Sequence, residues 1–134
     1  MQPIENFDDL GILKYDDKGL IGAIIQDAET GDVLMFAFMN ANSLKDTLRT
    51  GKTHFWSRSR GKYWMKGESS GHTQEVMAVY ADCDADVLLI QVHQKGAACH
   101  MGYRSCFFRR LDPEGAWQVI AEKVFNPEDV YKDK

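Results

Sequence analysis

Three cysteines, Cys83, Cys99 and Cys106, are the only thiols in this 134-residue chain, and they fall in two short stretches. The first reads Asp82-Cys83-Asp84-Ala85-Asp86; the second runs from Ala98 to Cys106 and holds His100 directly after Cys99. In a strand of period two, Asp82, Asp84 and Asp86 fall on one face and Cys83 on the other. Thiolates suit zinc and carboxylate oxygens suit magnesium, so the pattern predicts a two-metal site with one protein-held zinc and a magnesium beside it. Three thiolates with an open fourth position is the pattern of a catalytic zinc; His100 as a fourth ligand would make it a closed, structural one. The plainer alternative is three unrelated buried cysteines. Separations of 16 and 7 positions make no Cys-x-x-Cys knuckle, and an odd thiol count speaks against a secreted disulfide framework.

A second group of reactive types lies between Lys52 and Lys66, where Lys52, Arg58, Arg60, Lys62 and Lys66 occur with no acid among them. The loop that follows, Gly67 to Thr73, is rich in glycine and hydroxyls. Forked guanidiniums beside such a loop suit phosphate oxygens, with Ser57, Ser59, Ser70 and Gly71 as further donors and His72 in the loop as a candidate substrate contact. A basic run is also the ordinary make-up of a solvated face. No Gly-x-x-x-x-Gly-Lys-Ser/Thr phosphate loop occurs.

These groups need a scaffold, and 134 residues suffice for a single domain. Leu20–Gln26 and Val33–Met39 are apolar, strand-length runs joined through Thr30-Gly31, which predicts a hairpin buried on both faces. Asn40 and Gly51 bracket a helix with Leu44 and Leu48 on one side. Phe55-Trp56 and Tyr63-Trp64 flank a turn. Glu75–Ala81 and Val87–Val92 are strands on either side of the acidic triplet, forming another hairpin or one bent strand, and Gln94–Ala98 is a loop leading into Cys99. Cys106–Leu111 is strand-like, Asp112–Gly115 a turn, Trp117–Val124 a strand or short helix, and Phe125–Tyr131 a capped helical turn. The expected class is α+β, mainly β, built of antiparallel hairpins with short helices at the margins.

Net charge −4 argues against nucleic acid or an anionic membrane as a partner. With no signal-peptide pattern and no apolar run of spanning length, a cytoplasmic protein is expected.

The order of these motifs resembles one family, phosphoribosyl-AMP cyclohydrolase. The residues that carry the resemblance are Gln26-Asp27 with Thr30-Gly31, Met39-Asn40, Thr50-Gly51, Trp56 to Arg60, Trp64 with Lys66-Gly67-Glu68 and Ser70-Gly71, Gln74, Asp82-Cys83-Asp84 with Asp86, and Ala98-Cys99-His100 with Gly102, Ser105 and Cys106. The resemblance implies hydrolysis of N1-(5-phosphoribosyl)-AMP, opening the adenine ring between N1 and C6 in histidine biosynthesis. It also implies an intertwined homodimer whose zinc, one per subunit, is held across the interface. In that reading Cys83, Cys99 and Cys106 hold zinc, and Asp82, Asp84 and Asp86 hold magnesium. His100 is the catalytic base or an orienting group, and Arg58, Arg60 and Lys66 bind the phosphates. The length predicts the monofunctional form, without a pyrophosphohydrolase domain. Two other classes compete: a zinc-stabilised RNA-binding module using Phe55 to Lys66, and a zinc deaminase, whose His-x-Glu and Pro-Cys-x-x-Cys signature does not occur here.

Overall fold

A computed structural model describes residues 1–131. Its centre is a six-stranded sheet of β1 (Ile21–Asp27), β2 (Val33–Met39), β3 (His54–Ser57), β4 (Lys62–Met65), β5 (Gln74–Ala81) and β6 (Val87–Gln94), ordered β4-β3-β2-β1-β6-β5. β1 with β2, β3 with β4 and β5 with β6 pair antiparallel, as their turns predict, whereas β4 and β5 stand at opposite edges. The join between the two halves differs from expectation: β1 and β6 pair in parallel, Gly22 opposite Val87 through Asp27 opposite Val92, so the sheet is mixed and not a set of antiparallel hairpins. A parallel pair needs a long crossover, and here every other strand of the sheet lies within it.

Burial follows the period of the strands. Leu88, Ile90 and Val92 of β6 point inward beside Ile21, Ala23 and Ile25 of β1, and Leu34, Met35 and Met39 of β2 complete that layer. The hairpin is not buried on both faces as expected, since Phe36 of β2 is 47% exposed. Phe36 lies across Gly22, where an added Cβ would come within 2.6 Å of its ring.

The helix α1 (Ala41–Thr50) forms where expected. Asn40 accepts from the Ser43 amide at 2.8 Å, and Ser43 Oγ accepts from the Asn40 amide at 2.9 Å, a reciprocal cap on the first turn. Gly51 at φ 77° ends it in the left-handed conformation. Leu44 and Leu48 are driven into the core against Phe55. Asn40→Ala removes the side-chain acceptor and should lower stability by about 1 kcal/mol in urea unfolding.

Thr53 N donates to Gln74 O at 3.2 Å and Val76 N to Gly51 O at 2.8 Å, which curls the sheet by bringing the start of β3 to β5. A separate hairpin pairs β7 (Arg109–Leu111) with β8 (Trp117–Val119), so the strand expected from Cys106 begins three residues later. Asn126 caps the short α2 (Pro127–Tyr131) through the Glu128 amide at 3.0 Å. Among the described residues no helix is long and apolar enough to cross a membrane.

Candidate active site

The acidic triplet gathers, but not on a strand. Residues 82–86 form the turn between β5 and β6, and Ala85 takes φ 59°. Asp82 builds that turn itself: its Oδ1 accepts from the amides of Asp86 at 3.0 Å and Val87 at 3.4 Å. A short aspartate side chain satisfies nearby amides better than an extended ladder does, so the turn displaces the expected alternation. One oxygen from each of Asp82, Asp84 and Asp86 still comes within 4.8 Å of the others, an arrangement that fits a hard divalent cation. Desolvation pushes the Asp82 carboxyl up, yet donors from Asp86, Val87 and Ala85 outweigh it and hold it below the ordinary carboxylate value. Asp86 is raised, first by its hydrogen bond to Asp82 and then by desolvation and the charges of Asp82 and Asp84. Such crowding is what a bound cation would relieve.

Two of the three thiols meet at the opposite end of the sheet. Cys99 and Cys106 lie on a loop folded on itself by Ala98 N to Arg104 O at 2.9 Å and Cys99 N to Tyr103 O at 3.0 Å. Gly102 stands at φ 101° with Phe125 O only 2.4 Å from where a Cβ would be, so the loop needs glycine there. Cys106 N then donates to Leu34 O at 2.7 Å, and Ser105 Oγ to Val33 O at 2.7 Å, docking the loop on β2. Burial pushes the Cys106 thiol up to about 11, the neighbouring Cys99 adds to the rise, and Lys66 pulls against it. Lys66 donates its Nζ to Ala98 O beside the thiols; desolvation lowers its pKa while Cys106 and Cys99 raise it. Two adjacent thiols balanced by an ammonium are a donor set suited to zinc. Cys83 is exposed on the acidic turn, and the eight residues of β6 separate the two ends by about 25 Å. One copy of the chain therefore brings together two of the expected zinc ligands and leaves the third remote.

A cleft of about 860 Å³ opens beside the thiol loop, and its wall includes Ser57, Arg58, Ser59, Arg60, Lys66, Ser70 and His100. Those residues come from the end of β3 and the β3–β4 turn, the turn over residues 66–70 after β4, and the residue after Cys99. Arg58 stacks over the Phe38 ring with its guanidinium carbon 4.5 Å from the centroid, which fixes its plane. Phe38 also lines a second hollow of about 420 Å³ that reaches Asp86. Trp56 and Trp64 both face the cleft half-buried. Glu68 and Pro127 line it as well; neither was expected, because a lone carboxylate in a glycine-rich loop and a proline in the tail carry no motif.

Gly71 and His72 are not in the wall. Gly71 closes the loop by donating to Gly67 O at 2.8 Å. The His72 ring accepts from Ala97 N at 3.3 Å and packs edge-on against Phe125 at 4.7 Å, a buttress behind the cleft. His54 is buried with Nδ1 2.8 Å from Lys52 O, and His93 is exposed 3.7 Å from Glu29. Of the four histidines, His100 alone lines the cleft.

Residues 35–108 match the family model of phosphoribosyl-AMP cyclohydrolase. A protein of that name from Methanococcoides burtonii is 56% identical over 92% of this chain and 98% of its own length. Its namesake from Pelotomaculum thermopropionicum is 57% identical, covering 92% and 95%, and that from Chlorobium phaeovibrioides is 54% identical, covering 93% and 91%. With the thiol pair and the acidic turn inside the matched residues and with relatives above 50% identity across nine-tenths of its length, the chain belongs to the phosphoribosyl-AMP cyclohydrolase family.

Proposed function

We propose that this chain hydrolyses N1-(5-phosphoribosyl)-AMP in histidine biosynthesis, opening the adenine ring between N1 and C6 to give the phosphoribosylformimino-aminoimidazole carboxamide ribonucleotide. The observation that carries this reading is the single cleft where His100 and the thiol loop stand at the side of a basic, hydroxyl-lined wall. A substrate with two phosphates and one base to attack needs anion partners and a water activator close together. Arg58 and Arg60 pair with the phosphates, and Ser57, Ser59 and Ser70 donate to their remaining oxygens. Trp56 or Trp64 supplies a face for the base. His100 orients the attacking water and takes its proton. Zinc, when bound, supplies a water whose pKa lies near 7. Asp82, Asp84 and Asp86 hold magnesium, which binds through carboxylates, water and substrate phosphate.

The zinc site is complete only with a second copy. Cys99 and Cys106 of one protomer take Cys83 from its partner, so the enzyme is an intertwined homodimer with one zinc per subunit at the interface. Large apolar side chains support a covered face: Leu111, Trp117 and Val119 of the β7–β8 hairpin are 50%, 66% and 58% exposed, more than an isolated monomer readily tolerates. The enzyme is placed in the cytoplasm, acting on a small nucleotide and binding neither nucleic acid nor membrane.

The test is the initial rate of ultraviolet change on phosphoribosyl-AMP with magnesium, before chelation, after it, and after zinc is returned. Turnover that vanishes and returns with zinc is the expected outcome. Turnover that survives complete removal of zinc would overturn the metal reading, and no turnover with zinc bound would overturn the reaction.

A further inference from the structure

We propose that the ion pair between Asp27 and Arg104 is the brace that sets the separation of the Cys99 and Cys106 thiols, so that both are positioning residues for the metal centre; the inference rests on the zinc reading above. Asp27 ends β1 with only 2% of its surface exposed. Its Oδ1 accepts from the Glu29 amide at 2.8 Å and the Thr30 amide at 3.5 Å, so the carboxylate is fixed to the β1–β2 turn. Its Oδ2 is buried and meets no hydrogen-bond donor among the described residues other than the Arg104 guanidinium with which it pairs. A buried carboxylate without a counter-charge is costly, so this pair holds the arginine firmly in place.

Arg104 lies between the two cysteines, five residues after one and two before the other. The Cys106 side is tied to β2 through Cys106 N to Leu34 O and Ser105 Oγ to Val33 O. The Cys99 side reaches the same hairpin through Arg104: its carbonyl takes the Ala98 N–H while its guanidinium grips Asp27. Removing the guanidinium frees the arm of the loop that carries Cys99 from the arm that carries Cys106. Zinc–sulfur bonds near 2.3 Å tolerate little change in ligand spacing, so a loosened loop holds the ion poorly.

A merely structural ion pair would lower stability and leave metal binding alone, which separates the two cases. Zinc affinity is measured by competition with a chromophoric chelator, and unfolding temperature alongside, for the full-length protein and for Arg104→Lys, Asp27→Asn and the Asp27→Asn/Arg104→Gln double variant. The lysine keeps the charge that the buried carboxylate needs, and the double variant removes both charges, so folded protein is in hand. Each variant is expected to bind zinc about 10- to 100-fold more weakly. The double variant should be no worse than the weaker single one, because the two groups act as a unit. Arg104→Lys should recover much of the unfolding temperature but not the affinity, since an ammonium lacks the fork. Affinities within about 2-fold of the parent, whatever the unfolding temperatures, would overturn the brace. A parent protein that binds no zinc would overturn the zinc reading first, and the brace with it.

Discussion

A Cys83→Ser chain and a Cys99→Ser chain, each expected to be inactive alone, should regain activity when they are co-expressed and purified as a mixed dimer. The expectation follows from the placement of Cys83 on the acidic turn, at the end of β6 opposite the loop that holds Cys99 and Cys106. In the proposed dimer each zinc takes Cys83 from one protomer and the other two thiols from its partner. A dimer of the two variants then contains one site with all three cysteines and one site with a single cysteine. Every purified mixed dimer has one of its two sites intact, so about half of the parent activity should return, against about a quarter in an unfractionated pool in which random pairing makes about half of the dimers mixed. Zinc content should follow the same fraction. If all three ligands came from one chain, both variants would be dead in every pairing. Complete absence of rescue in a mixed dimer confirmed by two affinity tags would sink the shared site and the interface with it.

The second large effect belongs to His100. His100→Ala should lower kcat by about 10²- to 10⁴-fold, the usual contribution of a positioned general base, while zinc stays bound and KM changes little. The side chain is exposed in the cleft wall, so its loss opens no hole in the core. Zinc content is the deciding control. Loss of zinc in His100→Ala would make the imidazole a fourth ligand and the centre a closed, structural one. Unchanged zinc with a kcat within a few-fold of the parent would leave His100 as a surface residue and send the search for the base to Glu68, the other proton acceptor in the wall.

Local structure was legible in the residues themselves. Asn40 and Gly51 marked both ends of α1, and the capping pair with Ser43 is a contact between residues three apart. The β1–β2, β3–β4 and β5–β6 hairpins followed from apolar runs separated by turn residues, because their partners lie within a few positions. Where side-chain chemistry overrode periodicity, the expectation failed: Asp82 turned its oxygen on the amides of Asp86 and Val87 and made a turn of what alternation reads as strand. The carboxylates converged all the same, since a tight turn crowds residues two apart as surely as a strand face aligns them.

Other features were decided only by the tertiary structure, because they are contacts between residues far apart in the chain. The parallel pairing of β1 with β6 depends on which strand faces best fill the common core, a choice that no local pattern encodes. That pairing puts Val87 beside Gly22 and Val92 beside Asp27, and so brings the Cys99 end of β6 beside the β1–β2 hairpin on which Cys106 docks. His72 shows the same limit at a single residue: its place in a glycine and serine loop suggested substrate, and the packing of Gly96 and Phe125 around it gave it a different seat. The sequence by itself determined which groups are available, two kinds of metal donor, a histidine and a basic hydroxyl-rich turn, because side-chain chemistry and short-range hydrogen bonding are local. Only the tertiary structure decided which of them meet, because that is set by burying one shared apolar core among strands distant in the chain.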